Sequence, residues 1–199
     1  MDAAGGVGGD SKGDGRTYPE GPSTTRKVRP AMRVYVPLTL PGLAEAHKTG
    51  ELGSGPLVAY GVTPALREWC VSDDIEELEY AALSRAALAS LRLLADDSGA
   101  GRRRVVVAVD VADGAVTADP GLDPAALGEV TVTGAVPLAK AAAVHVDAGD
   151  AEEDVAAAAA ALDAADGGDD DAQFVVDGAE DHELLWYATQ EIPNLVDRA

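Results

Sequence analysis

The chain has 199 residues, 47% of them hydrophobic, enough for one well-packed domain without covalent staples. Alanine and valine dominate and there is a single phenylalanine, so the expected interior is small-residue and close-packed. Net charge is −20, a field that repels phosphate backbones and argues against nucleic acid as a partner; the cluster Arg102–Arg104 is too small to reverse it.

Acidity is concentrated late, with sixteen acidic residues against one Arg198 from Ala141 onward. The lone Cys70 forbids an internal disulfide and has no second cysteine with which to build a zinc site, a usage that fits a reducing cytoplasm. No apolar run reaches the roughly 18 residues of a membrane span. The opening "MDAAGGVGGD" lacks the basic start and apolar middle of a signal peptide. These features predict a cytoplasmic protein with no membrane partner.

Residues 1–31 are glycine, proline and polar residues without a period, too poor in apolar groups to offset the entropy of ordering. They read as a disordered tail, or as the product of an upstream start wrongly assigned. Residues 32–199 are expected to form a single α+β domain. "MRVYVPL" opens it as a strand, with Val34 and Val36 on one face and Arg33 and Tyr35 on the other. "LPGLAEAHKTGEL" is a short helix entered through Thr39 and Pro41 and ended near Gly50 or Gly53, and "PLVAYGV" is a second strand. Thr63 and Pro64 start another short helix through Trp69.

Asp73 and Glu76 form a capping box for a helix over Asp74 to Asp96. That helix is apolar around most of its circumference (Ile75, Leu78, Ala82, Leu83, Ala86, Leu91, Leu94), so more than one side must be covered. It is either the central helix or the interface of a homodimer. "RRRVVVAVDVADGAVTADP" reads as strand, Asp-Gly turn and strand, a hairpin. "EVTVTGAVPL" and "AAAVHVD" add two strands, and Asp150 with Glu153 caps an alanine-rich helix to about Ala165. "AQFVV" is expected to be the last strand, with Asp177 and Glu180 capping a terminal amphipathic helix through "AEDHELLWYATQEIP". The sum is a two-layer sandwich, a mixed but mostly antiparallel sheet with helices packed on it, with a ferredoxin-like arrangement among the options.

Phosphate-binding loops, the Gly-x-Ser-x-Gly elbow, His-Glu-x-x-His and EF-hand loops are all missing from the sequence. Asp110 and Asp113 are three apart where a phosphatase-like carboxylate pair needs two, and the turn explains them. Two constellations remain. His145 and Asp147 are two apart on a strand and share a face, placing an imidazole beside a carboxylate able to orient it. In the terminal helix Leu184, Leu185, Ala188 and Ile192 form an apolar stripe, Glu180, Glu183, Tyr187 and Glu191 lie opposite, and His182 and Trp186 share a flank. Trp186 and Tyr187 are large amphipathic rings at or beyond the edge of that stripe, the kind of residue that marks interfaces.

At "MRVYVPLTLPGL", "VTPALREW", "EELEYAAL" and "DDAQFVVDGAEDHELLWYATQEIPNL" the chain resembles a family of uncharacterised actinobacterial proteins over residues 32–199. The resemblance implies a cytoplasmic setting and transfers no activity, ligand or catalytic residue. The leading expectation is a non-catalytic module that binds a protein partner or a second copy of itself, with Trp186 and Tyr187 as binding residues. Its rival is a hydrolase-like enzyme using a divalent metal and built from His145, Asp147, His182 and nearby carboxylates, with Glu183 among the candidate catalytic residues. That reading requires His145 and His182 to meet in one concave site.

Overall fold

The computed structural model describes residues 31–53, 55–97, 99–118 and 126–197. The tail expected over 1–31 therefore lies outside the described residues, except that Ala31 already belongs to the first strand, β1 (Ala31–Leu38). There follow α1 (Leu40–Thr49), β2 (Leu57–Gly61), α2 (Pro64–Cys70), α3 (Ile75–Asp96), β3 (Val105–Ala112) and β4 (Val116–Ala118). The second half contributes β5 (Glu129–Val132), β6 (Ala141–Val146), α4 (Glu152–Asp166), α5 (Asp170–Glu180), β7 (Leu185–Tyr187) and α6 (Ile192–Val196).

The α+β class expected from the sequence is the class observed. The strands form one seven-stranded sheet in the order β4-β5-β2-β1-β3-β6-β7, and every pairing among the described residues is antiparallel. Strand alternation sorts the side chains cleanly. Val34, Val36, Val105, Val107, Val144 and Val146 face α1 and α6, while Tyr35, Val106, Ala108 and Ala143 face α3. The far half of α3 then packs its Leu91 and Leu94 against Val155 and Leu162 of α4 and Val176 of α5. Ser90 ties the helix to the sheet: its buried hydroxyl donates to the Leu38 carbonyl at 2.6 Å and accepts from the Val105 amide at 2.9 Å. Most of the broad apolar circumference of α3 is thus covered within one chain, by the sheet on one side and α4 on another, with Ile75 and Leu93 left partly exposed.

Helix ends follow local chemistry where no distant partner competes. Thr39 caps α1, Gly50 closes it in the left-handed region at φ 77°, and Thr63 caps α2. The cap of α3 is Asp74 rather than Asp73, accepting from the amides of Glu76 and Glu77. No side chain caps α4, so Asp150 does not act as expected there.

Three expected elements are replaced. The hairpin after Arg104 does not form: β4 pairs with β5, and β3 lies between β1 and β6. Asp113 and Gly114 make a 3-10 turn, with Gly114 not among the positive-φ glycines. A right-handed turn of this kind splays the flanking strands rather than pairing them. "AQFVV" is helical, within α5, because Asp169 caps it and Asp170 and Asp171 complement the helix dipole in the first turn. Only Val176 and Ala179, three apart, reach the core, and Phe174 is left 79% exposed. Asp177 lies inside this helix and accepts from the Gln173 amide side chain, so it caps nothing.

The third replacement is the terminal helix. The chain leaves α5 at Asp181, and Leu185–Tyr187 joins the open edge of β6, pairing Val144 with Tyr187, His145 with Trp186 and Val146 with Leu185. A Leu-Trp-Tyr run has high strand propensity, and an unpaired edge supplies the backbone partners that decide the outcome. None of the described helices is long and apolar enough to cross a membrane.

Candidate functional site

Arg104 precedes β3 and Asp147 follows β6, at equivalent ends of neighbouring strands (Val105 pairs with Val146). Counting by twos from Val106 and from His145, both fall on the α3 face. Their side chains meet there almost dry, 3% and 0% exposed. Arg104 donates from Nε to one Asp147 oxygen at 2.9 Å and from Nη2 to the other at 2.7 Å, and its main-chain amide adds a third bond at 2.7 Å. Nη2 also donates to the His182 carbonyl at 2.9 Å. Arg103 donates from Nε and Nη2 to the Asp147 carbonyl. A charge taken out of water requires close partnering of this kind.

Arg104 forms part of the lining of a cleft of about 330 Å³ between α3 and the segment 180–184, with Tyr80, Leu83, Ser84 and Ala87 on one wall and Glu180, His182, Glu183 and Leu184 on the other. The second wall is pinned twice. Besides the bond from Arg104 to its carbonyl, His182 places Nε2 2.7 Å from Asp154 Oδ2 on α4. Trp186 lies two residues beyond Leu184 on the same face and is 62% exposed; Tyr80, across the cleft, is 60% exposed. Tyr187 points the other way, partly buried against the core under α1 and α6.

His145 and Asp147 share a face as expected, but no hydrogen bond joins them among the described residues. Asp147 orients Arg104 instead. His145 is half-buried, edge-on to Tyr35 with ring centroids 6.5 Å apart, between Val106 and Trp186 in register. His182 and Glu183 are brought together in the cleft wall, on a turn rather than a helix. Among the described residues no three His, Cys, Asp or Glu side chains gather in a way that could hold a metal ion, and the Asp147 carboxylate is already filled by Arg104. Asp110, the other carboxylate weighed for chemistry, pairs across the strands with Arg33 at 3.0 Å. Arg104, Tyr80 and Ser84 were not singled out by the sequence pattern.

Burial lowers the His145 pKa from its ordinary 6.5. The neutral ring is the folded form, so its contribution to stability is present above about pH 6.5 and is lost as pH falls from there through the lowered folded value. Melting temperatures should therefore drop further for the wild type than for His145→Gln between pH 7.5 and pH 5. A gap that does not change with pH would show the imidazole to be freely hydrated. The Tyr35 phenol, buried and close to Glu79, is pushed up to about 12, so it stays protonated throughout this range.

Residues 32–196 match the family of unknown function DUF6912, and the chain belongs to that family. None of the curated proteins matches the chain, and no solved structure does.

Proposed function

We propose that this member of DUF6912 is a non-catalytic, cytoplasmic partner-binding module whose docking site is the cleft between α3 and residues 180–184 together with the adjoining face of β7. The observation that carries this reading is the pair of large rings, Tyr80 and Trp186, standing mostly in solvent on the cleft's two sides. Rings that could have been folded inward but are held at a rim supply the rigid, amphipathic contact area on which binding energy concentrates. The cleft floor supports the same reading. Arg104 and Asp147 satisfy each other, which makes a preorganised surface rather than a pair poised to exchange protons.

The partner is a different protein rather than a second copy. Dimerisation was expected because α3 has too much apolar surface for one sheet; the reading of a different partner is supported by the sheet, α4 and α5, which cover most of that surface within the chain and leave Ile75 and Leu93 partly exposed. The test is affinity capture from the source cells with the wild type and with a Tyr80→Ala/Trp186→Ala bait. Proteins retained by the wild type should be lost from the double variant while its melting temperature stays within a few degrees. Identical capture by both baits would overturn the proposal.

A further inference from the structure

We infer that the cleft recognises an extended peptide segment bearing a lysine or arginine, with Arg104 donating to a main-chain carbonyl of that segment and Glu180 or Glu183 receiving its cation. This rests on the docking site proposed above and names the chemistry it takes. The starting point is a donor left over at the floor. Arg104 spends Nε and Nη2 on Asp147 and His182, and among the described residues Nη1 has no partner. Among the described residues no fully buried side-chain nitrogen or oxygen is left without a hydrogen bond. Nη1 must therefore be reached from outside, and the cleft that Arg104 lines is where that opening lies. A guanidinium that is otherwise spent thus leaves Nη1 as an unpartnered donor beside a cavity of about 330 Å³, the lower end of ligand-sized pockets.

Electrostatics then selects the acceptor. Asp147 already neutralises Arg104, Glu180 and Glu183 stand on the facing wall, and the chain as a whole carries −20. An anion would meet net repulsion there. A neutral carbonyl meets none, and a cation beside it is attracted by both glutamates. A main-chain carbonyl next to a basic side chain offers that combination, and Tyr80 adds a ring face for the side chain to lie on.

Of the chain's own basic residues ahead of Ala31, those at 26, 27 and 29 are poor occupants, whereas Lys12 and Arg16 are within reach and are tested below. Ala31 pairs with Ala112 at one end of β1, while the cleft floor adjoins Val105, which pairs with Leu38 at the other. Seven strand residues span about 23 Å, and the main chain over the five residues from Arg26 to Ala31 reaches at most about 18 Å, short of the Arg104 donor that a carbonyl must meet.

The experiment uses the full ¹⁵N-labelled chain titrated with acetyl-Gly-Arg-Gly-amide to tens of millimolar, followed by amide shifts and the Trp186 indole signal. The arginine peptide should move residues 180–186 along saturating curves, and Glu180→Gln/Glu183→Gln should weaken that binding at least fivefold. Acetyl-Gly-Glu-Gly-amide and sodium acetate should leave the same signals in place. Equal shifts with the acidic peptide or with acetate would replace the basic-peptide site by an anion site, overturning this inference while leaving the docking cleft standing. No shift at 180–186 with the arginine peptide would also overturn it, and the capture experiment then decides separately whether the cleft docks a partner at all. Movement of Lys12 or Arg16 together with the cleft would mean that the segment 1–31 is the occupant, and the separate partner segment would fall.

Discussion

Asp147→Ala should lower the free energy of unfolding by about 3–5 kcal/mol, the cost of leaving a buried guanidinium without its counter-charge. The small opening at Nη1 does not relieve this cost, because the Arg104 side chain is only 3% exposed and its remaining bond is to the His182 carbonyl. The Arg104 amide also loses its acceptor, an unsatisfied buried donor in its own right. Replacing both partners by apolar residues, Arg104→Met/Asp147→Leu, should cost clearly less than Asp147→Ala alone, since most of the penalty belongs to the orphaned charge and not to the missing contact. Urea unfolding of the three proteins gives the comparison. A loss below about 1 kcal/mol for Asp147→Ala would show that the pair is hydrated and the cleft floor is not preorganised.

The next largest contrast lies within the last fifteen residues. Ile192→Ala should cost about 2–5 kcal/mol through the cavity it leaves, because Ile192 is 1% exposed in the core between α1 and the sheet. Leu185→Ala should cost under about 1 kcal/mol, as Leu185 is 45% exposed on the edge strand β7. A continuous amphipathic helix from 179 to 193 would have put both on one buried stripe and made the two costs similar. Thermal or urea unfolding distinguishes the cases, and comparable losses would restore the helix.

The contrast marks how far the sequence could be read. Elements set by local chemistry were legible: β1 by its alternation, α1 and α2 by Thr39 and Thr63, α3 by its long apolar period with a cap one residue off. What failed was decided by partners far along the chain. The Leu-Trp-Tyr run has apolar spacing compatible with a helix, and only the open edge of β6 makes it a strand. The Asp-Gly turn looked like a hairpin because nothing local says that β5 will take β4.

The candidate site was half visible. His182 and Glu183 were singled out and do line the cleft, though on a turn, and Trp186 does stand in solvent. Tyr187 could not be separated from it without knowing that the segment is a strand, which sends neighbours to opposite faces. Arg104 was dismissed with Arg102 and Arg103 as a weak basic cluster. A signal for it existed. It keeps the same parity as Val106 and Ala108, so a strand starting there aims a charge inward, and Asp147 keeps the parity of His145 on the strand that proves to be its neighbour.

The sheet order also sets a timetable. Two strands separated by some seventy residues, β1 and β3, form its middle, so the ribosome must deliver more than half of the chain before the central ladder can close. β6 emerges after β4 and β5 and waits with a bare hydrogen-bonding edge until residues 185–187 arrive, while the core facing α1 waits for Ile192 and Leu195. A nascent chain halted anywhere between Val146 and Leu185 displays an apolar strand, Ala-Ala-Ala-Val-His-Val, to any neighbouring polysome product. Fourteen acidic residues, from Asp147 to Glu183, are added as synthesis crosses that interval, so the stalled chains repel one another increasingly the longer they grow.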